Sequence, residues 1–267
     1  MTDHALVAEA LVVAHHAADA AARIHRGHAG ASLDVTTKSS ATDLVTQVDR
    51  LSEEAIRATI ASAFPDHVVW GEEEGSSTGD ARHRWIVDPL DGTVNYAHGV
   101  PIYAVSIALE VDGVVELGVV LDSARGDRFA ARRGAGATLD GVAIHVSETP
   151  SIGAAMLGTG FAYGGPAIAR NLEAFARVVP AARAVRRPGA AALDVCFVAC
   201  GRYDGFWELD LKPWDVAAAA LVVQEAGGTA TNLQGAPYRW GDDGMVATNG
   251  HLHARLLDLL GWADARA

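Results

Sequence analysis

The chain has 267 residues, half of them hydrophobic, with 33 acidic against 21 basic side chains and a formal net charge of -12. At roughly 100–200 residues per domain, that length holds one large domain or two small ones, and the apolar share supplies a substantial core. So acidic a chain is not expected to act through a nucleic-acid-binding face, although bound cations would still let it take an anionic small substrate.

The N-terminal stretch MTDHALVAEA carries acid early and no basic region ahead of an apolar one, so a secretory signal is not expected. The longest clean apolar run, VAAAALVV, is too short to span a membrane. Cys196 and Cys200 stand four apart in a helix-like stretch with no histidine close by; they read as small buried residues on one helix face rather than a zinc pair. With no disulfide framework, a cytoplasmic location is the expectation.

Apolar residues at helical spacing predict an amphipathic helix over 4–26, opened by Thr2 or Asp3 and ended by Gly27 and Gly30. LDVTTKSS reads as extended. LVTQVD leads into a helix from Arg50 to Ala63, with Glu53 and Glu54 in its first turn and Pro65 beyond its end. Two short apolar runs follow, HVVW and RWIV, and each stops at acid: GEEEG after the first, DPLDG after the second. YAVSIALEV and VVELGVVL flank Asp112-Gly113, a hairpin signal, and DRFAARRGAGATLDG continues the meander. Up to about Pro150, then, helices pack on a largely antiparallel sheet. Beyond it AAMLGTGF, RAVRR, YDGFWE, GTATN and GMVATNG read as short strands, separated by helices at about 166–179, 189–200, 214–226 and 251–260. That alternation predicts a second α/β layer, so the expected division is 1–150 and 151–267.

Acids gather at element ends: Asp49, Glu72 and Glu73, Asp88 and Asp91, and Asp215 in the first turn of a helix beginning at Pro213. Taken singly, Asp49 or Asp215 reads as a helix cap or dipole partner, and the glutamate run as a solvated loop. The turn DPLDGT is different. Two like charges brought together off a buried strand are costly unless something positive lies between them. All-oxygen ligands suit Mg²⁺ best. The turn lets Asp88 and Asp91 converge with the carbonyl of Leu90, and Thr93 adds a hydroxyl beside them.

GEE at 71–73, WIVDPLDGTVNYAHGVP at 85–101 and WDVAAAALVVQEAGG at 214–228 resemble the signatures of the inositol monophosphatase family, Mg²⁺-dependent and lithium-sensitive phosphatases. TKSSATDLVTQVD at 37–49 and RRPGAAALDVCFVACGRYDGFWE at 186–208 fit as well, so the likeness runs over nearly the whole chain. The resemblance implies a layered α-β-α-β-α sugar-phosphatase fold, with a largely antiparallel N-terminal sheet and a mixed C-terminal one. It implies two or three Mg²⁺ ions: one on Glu72, Asp88 and the Leu90 carbonyl, a second on Asp88, Asp91 and Asp215, a weaker third on Glu72. It assigns Thr93 and Asp49 to the attacking water and the amides of Gly92 and Thr93 to phosphate. Asp91, Glu208, Gly189 and Ala191 line the pocket for the rest of the substrate. The activity it implies is release of phosphate from a small monoester, with inositol 1-phosphate the first expectation. Histidinol phosphate, fructose 1,6-bisphosphate, NADP(H) and 3′-phosphoadenosine 5′-phosphate are alternatives. A homodimer is expected, with no membrane or nucleic acid as partner; binding to the transcription machinery is the rival of a different class.

Three positions depart from the family pattern. Ala219 and Ala190 stand where Gly and Ser or Thr are frequent, and Tyr96 replaces Phe; these bear on substrate rather than on metal. Lys38 is a further candidate for phosphate or the third metal. RRGAGAT at 132–138 reads as a hairpin turn rather than a phosphate loop, His15 and His16 as solvent-facing, and Arg186 and Arg187 as either substrate-binding or intersubunit.

Overall fold

Alanines along one face decide the first element. The computed structural model describes residues 3–31, 35–37, 44–239 and 241–262. Helix α1 (Asp3–His28) turns Ala10, Ala14, Ala17, Ala18, Ala21 and Ala22 inward with no exposure. It runs past Gly27, which was expected to end it, because its buried face continues to His25; packing outweighs the glycine's poor helix propensity. By length and composition α1 is apolar enough to cross a membrane, with a mean hydropathy of 1.3, which the run-length criterion did not register. Its apolar side is spent on the sheet and on the next helix.

Strands β1 (Val35–Thr37) and β2 (Leu44–Thr46) pair antiparallel, and helix α2 (Gln47–Ala63) follows at once. It starts three residues before the expected Arg50. Thr46 is the N-cap: its hydroxyl accepts from the Val48 N–H at 3.1 Å, and its own N–H donates to Asp49 Oδ2 at 2.8 Å. This capping box draws the helix start back into LVTQVD. Asp49 therefore lies inside the first turn, and Glu53 and Glu54 fall in the second.

The large sheet holds β3 (His67–Gly71), β4 (Gly75–Ser76), β5 (Asp80–Asp91), β6 (Ala104–Val111), β7 (Val114–Asp122), β8 (Arg128–Arg132), β9 (Ala137–Leu139) and β10 (Val142–Ala143), in the order β10-β9-β8-β7-β6-β5-β3-β4. Every neighbour is antiparallel except β3 and β5. A short helix, α3 (Thr93–Ala97), separates β5 from β6, and Asp112 and Gly113 turn the β6–β7 hairpin at positive φ. Side chains alternate across the sheet: Trp85, Val87, Val105, Ile107 and Val119 pack under α1 and α2, while Ile86, Ala104, Ala108, Val120 and Phe129 face the opposite way.

The second sheet is mixed, as expected. It comprises β11 (Met156–Thr159), β12 (Ala184–Arg186), β13 (Gly205–Leu209), β14 (Thr229–Thr231) and β15 (Gly244–Thr248), in the order β12-β11-β13-β15-β14. β11 runs parallel to β12 and β13, and β15 antiparallel to β13 and β14. Helices α4 (Pro166–Val178) and α7 (His253–Leu260) close one face over Leu157, Trp207 and Val246. Helices α5 (Ala191–Ala199) and α6 (Pro213–Glu225) fill the other face and touch the large sheet as well. The layers thus run α1/α2, sheet, α5/α6, sheet, α4/α7.

The middle layer fits because its contacts are small. A Cβ added to Gly118 on β7 would lie 2.6 Å from the carbonyl oxygen and 2.7 Å from the Cα of Ala218 on α6. Backbone cannot yield there, so Gly118→Val is expected to lose about 3 kcal/mol, the upper end for overpacking. Urea denaturation checks this through a lowered midpoint at unchanged slope.

Candidate active site

The turn DPLDGT closes β5. Pro89 has no N–H for the ladder, and the β5–β6 register breaks between Asp88 and Asp91, so the strand bulges where the acids sit. Asp88 Oδ1 accepts the Leu90 N–H at 2.9 Å, which bends the turn back on itself. Gly92 has φ +91, and a Cβ there would meet the Ile102 carbonyl at 2.8 Å; both conditions call for glycine. Thr93 then opens α3 with its hydroxyl 2.8 Å from Asp49 Oδ1 and 3.0 Å from the Leu90 carbonyl. Tyr96, the departure from Phe, donates its hydroxyl to the His25 carbonyl at 2.6 Å and so ties the turn to α1.

Asp91 reaches across to the other half of the chain. Its two oxygens accept the N–H groups of Ala191 and Ala192 at 3.0 and 2.9 Å. These are the first amides of α5, whose N-cap, Ala190, supplies no side-chain bond. A carboxylate from the large sheet thus does the work of the missing Ser or Thr. Asp215 occupies the first turn of α6 behind Pro213 and accepts the Lys212 N–H at 2.7 Å. Glu72 follows the end of β3.

Glu72, Asp91, Gly92, Gly189, Ala191, Glu208 and Asp215 line one cleft of about 980 Å³. Asp88, 2% exposed, does not line it but feels the charges of Glu72, Asp91 and Asp215, which do. Burial, then the charges of Glu72, Asp91 and Asp215, raise the Asp88 carboxyl well above its ordinary range. Asp91 is pushed up to about 7, by burial first, against the pull of the Ala192 and Ala191 amides. Glu208 is pushed up to about 8 by burial and then by Asp215 and Asp91, with Arg187 opposing; its carboxylate occupies the space a side chain at Gly160 would take. The four acids are electrostatic neighbours rather than a closed cage: among the described residues no three His, Cys, Asp or Glu groups stand tightly enough to hold a metal as they are. Long-range coupling through a buried medium needs less proximity than ligation does, and mutual repulsion favours this spread. The donor chemistry fits a hard divalent cation, since every candidate is a carboxylate or a carbonyl and, among the described residues, the cleft lining has no imidazole or thiolate.

The other expected residues divide. Arg187 lines the cleft, whereas Arg186 is exposed and donates to the Val185 carbonyl. The glycine-rich hairpin at 132–138 is a turn whose Gly134 and Gly136 N–H groups donate to the Glu225 carboxylate, both at 2.9 Å. His16 is exposed, but His15, expected in solvent, is half-buried beside Asp19 and Arg128, and burial lowers its imidazole. Cys196 is buried, and burial pushes its thiol up. Lys38 lies outside the described residues. Sequence reasoning missed Asp194 on α5, 1% exposed, whose oxygens have no hydrogen-bond partner among the described residues and whose carboxyl burial and then Glu208 raise well above its usual range. It also missed Asn95, which donates to the carbonyls of Ile102, Pro188 and Gly189 and so joins α3 to the Gly189 loop. Only tertiary contact marks either residue.

Acids carried by both sheets and by α6 thus gather at one cleft, with backbone amides from the starts of α5 and α6 bonded to Asp91 and Asp215. The profile described as "Inositol monophosphatase family" matches residues 6–262. Nus factor SuhB of Pseudomonas aeruginosa is 47% identical over 76% of this chain and 78% of its own length. Inositol-1-monophosphatase of Synechocystis is 40% identical over 85% and 79%. The crystal structure of the extragenic suppressor protein suhB from Bartonella henselae superposes with a TM-score of 0.91 at 37% identity, over 94% of this chain and 98% of that one. The chain belongs to the inositol monophosphatase family and is an enzyme of that type.

The raised acids set a pH dependence. A carboxyl whose native pKa exceeds its unfolded one contributes stability below the unfolded value that is lost as pH rises through the native value. With Asp91 moved from 3.8 to about 7 and Glu208 from 4.5 to about 8, the window runs from about pH 4 to pH 8. In excess chelator the melting temperature is expected to fall between pH 5 and pH 8.5. Excess Mg²⁺ should flatten that fall by favouring the ionised form. Calorimetric scans with and without metal check both.

Proposed function

We propose that the protein is a Mg²⁺-dependent phosphate monoesterase acting on a small polyol phosphate, inositol 1-phosphate first. The supporting observation is the coupling of Glu72, Asp88, Asp91 and Asp215 at one cleft. Glu72, Asp88, Asp91, Asp215 and the Leu90 carbonyl would hold the ions, Glu72 serving also the third. When bound, Mg²⁺ supplies charge neutralisation of the phosphate dianion and acidification of a water. The chain's own residues do the rest. Asp49, its Oδ2 taken by the Thr46 hydroxyl and amide, receives the Thr93 hydroxyl hydrogen on Oδ1. The Thr93 oxygen is thereby left to accept a hydrogen bond from the attacking water and to orient it. The amides of Gly92 and Thr93 are donors for phosphate. Glu208, favoured in its neutral form, meets substrate hydroxyls over Gly189 and Ala191.

Inositol phosphate ranks first because several relatives carry inositol-1-monophosphatase as their name. The name Nus factor on the Pseudomonas aeruginosa relative supports a second reading, contact with the transcription machinery. Cytoplasmic location, a homodimer, lithium sensitivity and a cleft shared by halves 1–150 and 151–267 go with the first reading. Phosphate release from a panel of inositol, histidinol, fructose and nucleotide phosphates tests it. Asp91→Asn is expected to lose at least about 100-fold in turnover, the upper range for a mere outer partner of a metal ligand. Thr93→Val should lower kcat with little change in KM, as for a group acting only on the attacking water. Equal turnover by Asp91→Asn and the parent would end this reading, and retention of RNA polymerase by the parent would favour the second.

A further inference from the structure

Asp49 and Glu53 stand four apart on one face of α2, and both are fully buried. Asp49 serves the Thr93 side of the cleft. Glu53 serves the other side, which is why an acid is found in the helix interior. Its Oε2 accepts the Glu73 N–H at 2.7 Å, and its Oε1 accepts the Glu74 N–H at 3.1 Å. Arg57, one turn further along, pairs with Glu53 at 2.7 Å and donates to the carbonyls of Val69, at 3.1 Å, and Gly75. The carbonyls held by Arg57 flank the turn after β3, and the amides held by Glu53 lie within it. Gly71, the glycine of the GEE motif, is where the carboxylate enters: a Cβ there would lie 2.3 Å from Glu53 Oε1. Charge-assisted bonds of this kind are the strong ones, and a buried carboxylate must have them.

We propose that Glu53, backed by Arg57, is a positioning residue that aims the carboxylate of Glu72 and thereby sets the metal affinity of the cleft. This rests on the reading of Glu72 as a ligand. The neighbouring amides of Glu73 and Glu74, held by Glu53, fix the backbone on one side of Glu72, and its own N–H donates to the Val87 carbonyl at 3.2 Å. Loss of an outer partner typically weakens metal binding about 10- to 100-fold.

The test is calorimetric titration of the full chain with MgCl₂, for the parent, Glu53→Gln and Arg57→Lys, with melting curves in chelator alongside. The expected result is a dissociation constant raised about 10- to 100-fold in both variants. An unchanged dissociation constant in a folded variant, with only a lower melting temperature, would show a structural brace and overturn the proposal. Should Glu53→Gln not fold, Arg57→Lys decides alone, because its side chain is 16% exposed and keeps the charge. A parent that binds no Mg²⁺ would instead overturn the metal reading of the cleft, and the proposal with it.

Discussion

Crowded negative charge is the constraint on which this structure turns. Asp88 and Asp91 are buried, where repulsion is weakly screened, and the charges of Asp91 and of the half-buried Glu72 and Asp215 all raise the Asp88 carboxyl. No flexible segment would keep them together. They are therefore fixed to three separate stiff elements: Glu72 to the end of β3, Asp88 and Asp91 to the bulged end of β5, Asp215 to the first turn of α6. The repulsion is partly offset by fixed dipoles. Asp91 sits on the opening amides of α5 and Asp215 within the opening turn of α6, so both meet the positive ends of helices.

That solution dictates the middle layer. Helices α5 and α6 must approach both sheets for their N-termini to reach the acids. Close approach needs small side chains, and α6 supplies Ala217, Ala218, Ala219 and Ala220 in succession. Gly118 on β7 answers Ala218 without a side chain of its own. Ala219 is fully buried in the same seam. The alanine run that reads as a bland apolar stretch is thus a spacing requirement of the site. The same economy governs α1, whose six fully buried alanines let it lie close over the sheet next to α2.

How much of this was legible depended on range. The DPLDGT turn announced itself because its chemistry is local: a proline that breaks the ladder, a glycine at positive φ and two acids within four residues. The antiparallel meander and the second α/β layer were also readable from alternation and turn residues, whereas the mixed order of the second sheet came only with the family resemblance. The start of α2 was misplaced because Thr46 and Asp49 look like strand and loop until they are seen to cap each other. Glu53 is expected only as an acid in the first turn of the helix; its partners are amides about twenty residues on. Asp194 had no signal at all, because a buried acid in an apolar helix is recognisable only by what faces it.

Those two acids show that the cleft has chemically different ends. Toward Glu72 and Asp88, burial and repulsion raise the Asp88 carboxyl, and either a proton or a cation would relieve it. Toward Glu208 and Asp194, burial favours the neutral acids, and Arg187 alone opposes it. Neutral carboxylic acids donate as well as accept hydrogen bonds, which suits hydroxyls rather than phosphate. The ends are nonetheless coupled, because Asp91 and Asp215 raise Glu208 across the cleft. Cations settling on Asp91 and Asp215 would remove that repulsion and ease Glu208 toward its ionised form. On the proposed reading, then, loading the anionic end retunes the donor at the polyol end, and substrate recognition is never independent of metal.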